Sequence, residues 1–172
     1  MLKNFFTAKN FLPKNTHLFN QAVIIVLLVI IADLLSKVLI FSYLADHGLY
    51  QVEITGFFNI VRVYNTGVSF GMFDGLAYGK HLISIVALLI VAYLYHWLCT
   101  IEDKFLTYAL SFVIGGAFGN TIDRLLNGSV ADFLDFHFFN YHWPAFNVAD
   151  SMITIGAFMI IYDEFFRKKN KG

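Results

Sequence analysis

The strongest constraint on this chain is an apolar run that begins near Phe105 and closes on Gly115-Gly116-Ala117-Phe118-Gly119-Asn120-Thr121-Ile122-Asp123-Arg124. About 20 predominantly apolar residues suffice to cross the hydrocarbon core of a bilayer as a helix. The run therefore predicts a membrane span, with Asp123 where it meets the outer interface. A second apolar run opens on Phe146-Asn147-Val148-Ala149-Asp150 and puts another carboxylate at a helix start. If the two runs are antiparallel neighbours, Asp123 and Asp150 meet at one membrane face.

Composition points the same way. Of 172 residues, 14% are charged and 58% hydrophobic, where a soluble domain carries about a quarter charged. Net charge is zero, so no basic field exists to attract nucleic acid. Two prolines and no low-complexity stretch leave no linker, and residues 1–172 read as one membrane domain. Cys99 is alone, which excludes an internal disulfide or a CxxC site; its apolar flanks predict packing.

Four transmembrane helices are expected, at about residues 20–44, 81–99, 105–125 and 146–166. Ala22 to Ala32 has the length of a signal-peptide core, but no small-residue cleavage pattern follows and apolar character resumes through Leu44. Asp33 and Lys37 lie on one face of the first span. Ionisable groups inside a span are costly, so the pair either locks helix packing or serves the site. Gly115, Gly116 and Gly119 would let another helix approach closely.

Loop 45–80 holds two β-rich stretches, Tyr50–Ile54 and Phe58–Tyr64, around a turn candidate at Thr55-Gly56, which predicts a hairpin. Phe70 to Tyr78 reads as an interfacial segment. Loop 126–145 carries Asp132, Asp135, His137 and His142; for the first three a solvated outer face is a sufficient account. Eight of the twelve Lys and Arg residues fall in the two tails and the 100–104 turn. By the positive-inside rule both termini are cytoplasmic and both long loops extracytoplasmic.

Two carboxylates about 3 Å apart share a proton, which supplies a general base for water and an acid for a leaving amine. The helix dipole favours a carboxylate on Asp150 and disfavours one on Asp123, so the shared proton is expected mainly on Asp123. The alternatives are helix caps or an Asp123–Arg124 ion pair. Two other classes of protein would use the same residues: a proton-coupled transporter with a relay through Asp33, Lys37, Asp123 and Asp150, and a non-catalytic lipoprotein-binding protein.

Asn65-Thr66-Gly67-Val68-Ser69-Phe70, Gly115 to Arg124, Gly128-Ser129-Val130-Ala131-Asp132-Phe133 and Phe146 to Asp150 together resemble bacterial lipoprotein signal peptidase, the type II signal peptidase. Val68-Ser69 stands where that family commonly has two alanines. The resemblance implies an aspartic endopeptidase of the bacterial inner membrane, a monomer without metal or other cofactor. Its partners would be membrane lipid and a diacylglyceryl-modified prolipoprotein, cleaved before the lipidated cysteine. It matches Asp123 and Asp150 to the catalytic pair. Asn65, Gly67, Asn120, Arg124 and Asn147 would surround the site, and Asp33 and Lys37 would support it. It further implies a small extracytoplasmic β-rich subdomain and an interfacial helix.

Overall fold

The computed structural model describes residues 12–67 and 79–167. The chain runs α1 (Thr16–Asp46), β1 (Gln51–Thr55), β2 (Phe58–Asn65), α2 (Gly79–Thr100), α3 (Lys104–Asn127), β3 (Val130–Phe138), β4 (Tyr141–His142) and α4 (Val148–Tyr162), with a π-helical turn at Asp163–Arg167. Three of these helices, α1, α2 and α3, are long and apolar enough to cross a membrane. The fourth expected span begins two residues late, because Asn147 caps it, and its hydrogen bonding changes at Asp163.

Helix α3 is the centre of the bundle, packed on α1, α2 and α4. Its glycines explain the close packing. A Cβ on Gly116 would sit 2.4 Å from the Ala149 carbonyl oxygen, and one on Gly119 2.6 Å from Asp33 Oδ2. Only bare backbone lets α4 and the Asp33 side chain come so near. The outward faces of α1 and α2 stay apolar and exposed, at Leu27, Leu28, Ile31, Leu35, Leu82, Ile85 and Leu89 among others. That is the distribution expected of helices solvated by lipid.

The four strands form an antiparallel sheet in the order β1-β2-β3-β4. The predicted hairpin is present, with its turn at Gly56-Phe57, one residue later than expected. Loop 126–145 differs from expectation: most of it is strand. Gly128 ends α3 in the left-handed conformation (φ 74°), its N–H donating to the Arg124 carbonyl, a geometry that glycine adopts without steric cost. The chain then turns directly into β3. Asp132 and Asp135 are buried there, 1% and 5% exposed, and do not form a solvated face. The start of β3 is covered by β2 on one edge and by the entry of α4 on the other, where Phe146 N–H donates to the Leu134 carbonyl at 3.0 Å. The expected interfacial segment 70–80 and Val68-Ser69 lie almost wholly outside the described residues.

Candidate active site

The polar site lies where α3 ends, and α1, α3 and α4 each contribute to it through a local reason. Asn147 is the N-cap of α4: its Oδ1 accepts from Asp150 N at 2.9 Å, meeting a helix N–H that has no partner within the helix. Asp33 of α1 caps the same end from outside, its Oδ1 accepting from Ala149 N at 2.9 Å. Lys37, one turn on, donates to Asp33 Oδ2 at 2.8 Å and to Asn120 Oδ1 at 3.0 Å, and stands 3.4 Å from Asp123 Oδ2. Its three ammonium hydrogens therefore have three acceptors. The Asp33/Lys37 pair does both things the sequence allowed: it locks α1 to α3 and α4, and it borders the site.

Asn120 links the two halves. Its Nδ2 donates to Asp150 Oδ1 at 2.7 Å, and its Oδ1 also accepts from Asn147 Nδ2 at 3.2 Å. Asn147 Nδ2 reaches further, to Asp132 Oδ1 at 2.7 Å. The other oxygen of Asp132 accepts from Asn65 Nδ2 at 2.9 Å, and Asn65 Oδ1 turns back to accept from Gly67 N at 2.8 Å. Gly67 holds φ 85°, and a Cβ there would come within 3.6 Å of Arg124 Nε. So Asn65, Gly67, Asn120, Arg124 and Asn147 do converge, but they converge on Asp132 and Asp150.

Asp123 stands apart from that convergence. Its Oδ1 accepts from Asn127 Nδ2 at 2.7 Å, and its Oδ2 from Ala131 N at 2.7 Å with Lys37 beyond. No hydrogen bond joins it to Asp150; the route between them runs through Lys37 and Asn120. The two also line different cavities. Asp123 opens on a cleft of about 520 Å³ with Lys37, and Asp150 on one of about 440 Å³ with Trp143, Phe146 and Ser151. The Asp123–Arg124 ion pair is absent, and Lys37 takes its place.

Arg124 has no ion pair among the described residues, and its Nε is buried without an acceptor. The carboxylates of Asp150, Asp132 and Asp123 act on it electrostatically, in that order. Burial, the largest influence, and the charge of nearby Asp150 hold Asp132 up at about 6, against the hydrogen bonds of Asn65 and Asn147 and the charge of Lys37. Asp132 is the residue that reading by sequence passed over. The available signal was its setting: one carboxylate inside Val130-Ala131-Asp132-Phe133-Leu134, where an unpaired charge is costly.

An apolar helical bundle closed at one end by carboxylates and amide donors is the architecture of a membrane-embedded acid–base enzyme. Comparison makes the class specific. Residues 25–166 match the family model of signal peptidase (SPase) II. The lipoprotein signal peptidase of Burkholderia vietnamiensis is 44% identical over 147 residues, 80% of this chain and 83% of that protein. That of Vibrio cholerae is 40% identical, over 84% and 86%. A bacterial membrane enzyme solved by the in meso method at 2.3 Å superposes with a TM-score of 0.73 at 30% identity, covering 89% of this chain and 92% of that one. The chain belongs to the signal peptidase II family, the aspartic proteases of lipoprotein processing.

Proposed function

We propose that this chain is a membrane endopeptidase that removes the signal peptide from diacylglyceryl-modified prolipoproteins, and that Asp132 and Asp150 are its acid–base pair. The observation that carries this pairing is the setting of Asp132. It is buried, held by Asn65 and Asn147, and pushed up to about 6 by burial first and by Asp150. A carboxyl held up in this way keeps a proton available beside the charge of Asp150. Asp123, which the motifs alone matched to the pair, serves better as a brace. It ties Lys37 to the start of β3 and so sets the position of Asp132, nine residues on.

The chemistry follows from the two environments. Asp150, as carboxylate, takes a proton from the water that attacks the scissile carbonyl. Asp132 in its acid form donates a hydrogen bond to that carbonyl oxygen, which gains charge as the tetrahedral intermediate forms. Collapse breaks the C–N bond, and the proton on Asp150 passes to the amine of the lipidated cysteine. Arg124 adds positive charge beside both acids. Asn65 and Asn147, each able to donate and accept, hold Asp132.

With α4 and its π turn taken as a fourth span, the distribution of Lys and Arg supports a site at the extracytoplasmic face. From Val148 to Arg167 the helical run is about 30 Å long, enough to cross. Acyl chains in the bilayer would then bring the scissile bond to the depth of the site. The transporter and binding-protein readings have no support from the relatives, which are peptidases by name.

Cleavage of a diacylglyceryl-modified prolipoprotein by detergent-purified variants tests the pairing. Asp132→Asn and Asp150→Asn are each expected to lose about 10³-fold or more in rate while keeping the parent's helical circular dichroism. Asp123→Asn is expected to lose thermal stability, with activity returning in part at low temperature. A fully active Asp132→Asn protein beside a folded, inactive Asp123→Asn protein would restore the Asp123/Asp150 pair.

A further inference from the structure

The cleft on the outer flank of Asp123 is not used by the chemistry above. Its floor is Lys37 and Asp123, with Asn127, Ser129 and Ala131 beside them; its walls are Leu34, Val38 and Phe41 of α1, Leu126 of α3 and Tyr64 of β2. The floor offers little to a charged ligand, because Lys37 has three acceptors and Asp123 already accepts at both oxygens. The walls are apolar, and Val38 and Leu126 are 62% and 77% exposed, so the mouth opens towards lipid. A hydrocarbon chain is the occupant that suits both the walls and the opening.

The rim adds a headgroup requirement. Arg62 of β2 lies over the rings of Tyr64 and Phe41, 5.5 and 5.9 Å from their centroids, and both rings line the cleft. Its Nη2 donates to Tyr64 Oη at 3.0 Å, but it has no carboxylate partner among the described residues, and its Nε is buried without an acceptor. Phe41 stands about 7 Å along the helix from the end of α1 at Asp46, where the helix leaves the apolar core. An unpaired guanidinium at that depth, above an apolar cleft, is a site for a phosphate that carries acyl chains.

We propose that this cleft binds an anionic phospholipid of the surrounding bilayer, with one acyl chain along Leu34, Val38 and Leu126 and the phosphate on Arg62. The bound lipid braces the junction of α1, α3 and the sheet beside Asp123, in a cleft that Asp132 and Asp150 do not line. The inference is independent of which carboxylates perform the cleavage.

Native mass spectrometry of the full chain tests it, with phosphatidylglycerol and with a diacylglycerol of the same chains as probes. The parent should retain one phosphatidylglycerol. Arg62→Gln should weaken that binding about tenfold, and Leu34→Trp, which fills the cleft, should remove it. Diacylglycerol should bind the parent and Arg62→Gln equally weakly. Cleavage by Arg62→Gln in phospholipid-free detergent should match the parent, which also shows that the variant is folded. Equal retention of phosphatidylglycerol by parent and Arg62→Gln would overturn the proposal. So would diacylglycerol binding as tightly as phosphatidylglycerol, since the cleft would then suit the lipid of a substrate. Loss of cleavage in folded Arg62→Gln would assign Arg62 to the peptide site and overturn it too.

Discussion

The two ends of the helical bundle are both rich in charge, and they are built to opposite rules. Where α3 begins, Arg167 grips Asp103 with two parallel hydrogen bonds, at 3.0 and 2.9 Å, and Asp163 with a third at 2.7 Å. Its guanidinium also covers the ring of Phe105, 4.5 Å away. The arginine side chain there is 26% exposed and that of Asp103 27%. Where α3 finishes, four carboxylates (Asp33, Asp123, Asp132 and Asp150) share Lys37 and Arg124, and Asp33 is fully buried. The first end keeps its arginine and Asp103 partly exposed at the rim of the fold. The second holds more acid than base inside it, an arrangement that stability alone would not favour and that proton chemistry needs.

That contrast predicts unequal costs of removing a cation from each end. Lys37→Met leaves Asp33 and Asp123 buried without their shared ammonium. Such a loss is worth about 3–5 kcal/mol, so the variant should unfold at a markedly lower temperature in a detergent melt. Activity should fall with the folded fraction, since Asp123 would no longer hold the start of β3. A Lys37→Met protein as stable as the parent would show that this end is not held together by its ion pairs.

The second prediction concerns pH. Asp132 sits at about 6 in the folded protein against an ordinary 3.8. Between those values the folded state binds the proton more tightly than the unfolded chain does. Its contribution to stability is therefore complete below about pH 4 and is lost as pH rises through 6, a change of about 3 kcal/mol. The parent's Tm should decline across pH 4.5–7, and Asp132→Asn should flatten that part of the curve. Asp135 lies on the same strand but moves the other way. Burial alone would raise it, yet hydrogen bonds from Asn59 and His142 hold it below its ordinary range, so Asp135→Asn should leave the slope over pH 4.5–7 in place. An unchanged slope in Asp132→Asn would mean that the raised group lies elsewhere.

How much of this was legible in the residues differs between the two structural layers. The helices were, because an apolar run of 20 or more residues has few other solutions, and Gly115, Gly116 and Gly119 do mark close helix contacts. The hairpin was too, through its β-branched and aromatic runs. β3 was not: Val130-Ala131-Asp132-Phe133-Leu134-Asp135 puts an acid on each face of the strand, and both are buried only through the non-local cover of β2 and the entry of α4 at Phe146. The same gap hid the setting of the second candidate carboxylate. Asp123 and Asp132 both sit in family motifs, and a helix end beside glycines drew attention to the first. What separates them is non-local: a backbone N–H from Ala131 and an ammonium from α1 occupy Asp123, whereas two asparagines and the charge of Asp150 prepare Asp132.

The smallest expected effect comes from the partly exposed end. Arg167→Gln removes a partly exposed cation whose partners can still reach water, apart from Asp163, which a glutamine amide can still meet. Its Tm should drop by less than that of Lys37→Met, and the rate of prolipoprotein cleavage should not change, because the cluster lies at the opposite end of α3 from Asp132. Salt supplies the sharper comparison. Charges exposed at the rim are screened within about 10 Å at 0.1 M ionic strength, while buried pairs are screened far less. The gap in Tm between parent and Arg167→Gln should therefore narrow as salt is raised, and the gap between parent and Lys37→Met should stay open. Two gaps that narrow together would mean that water reaches Lys37 as freely as Arg167, and the contrast between the ends would then be one of residue count rather than of burial.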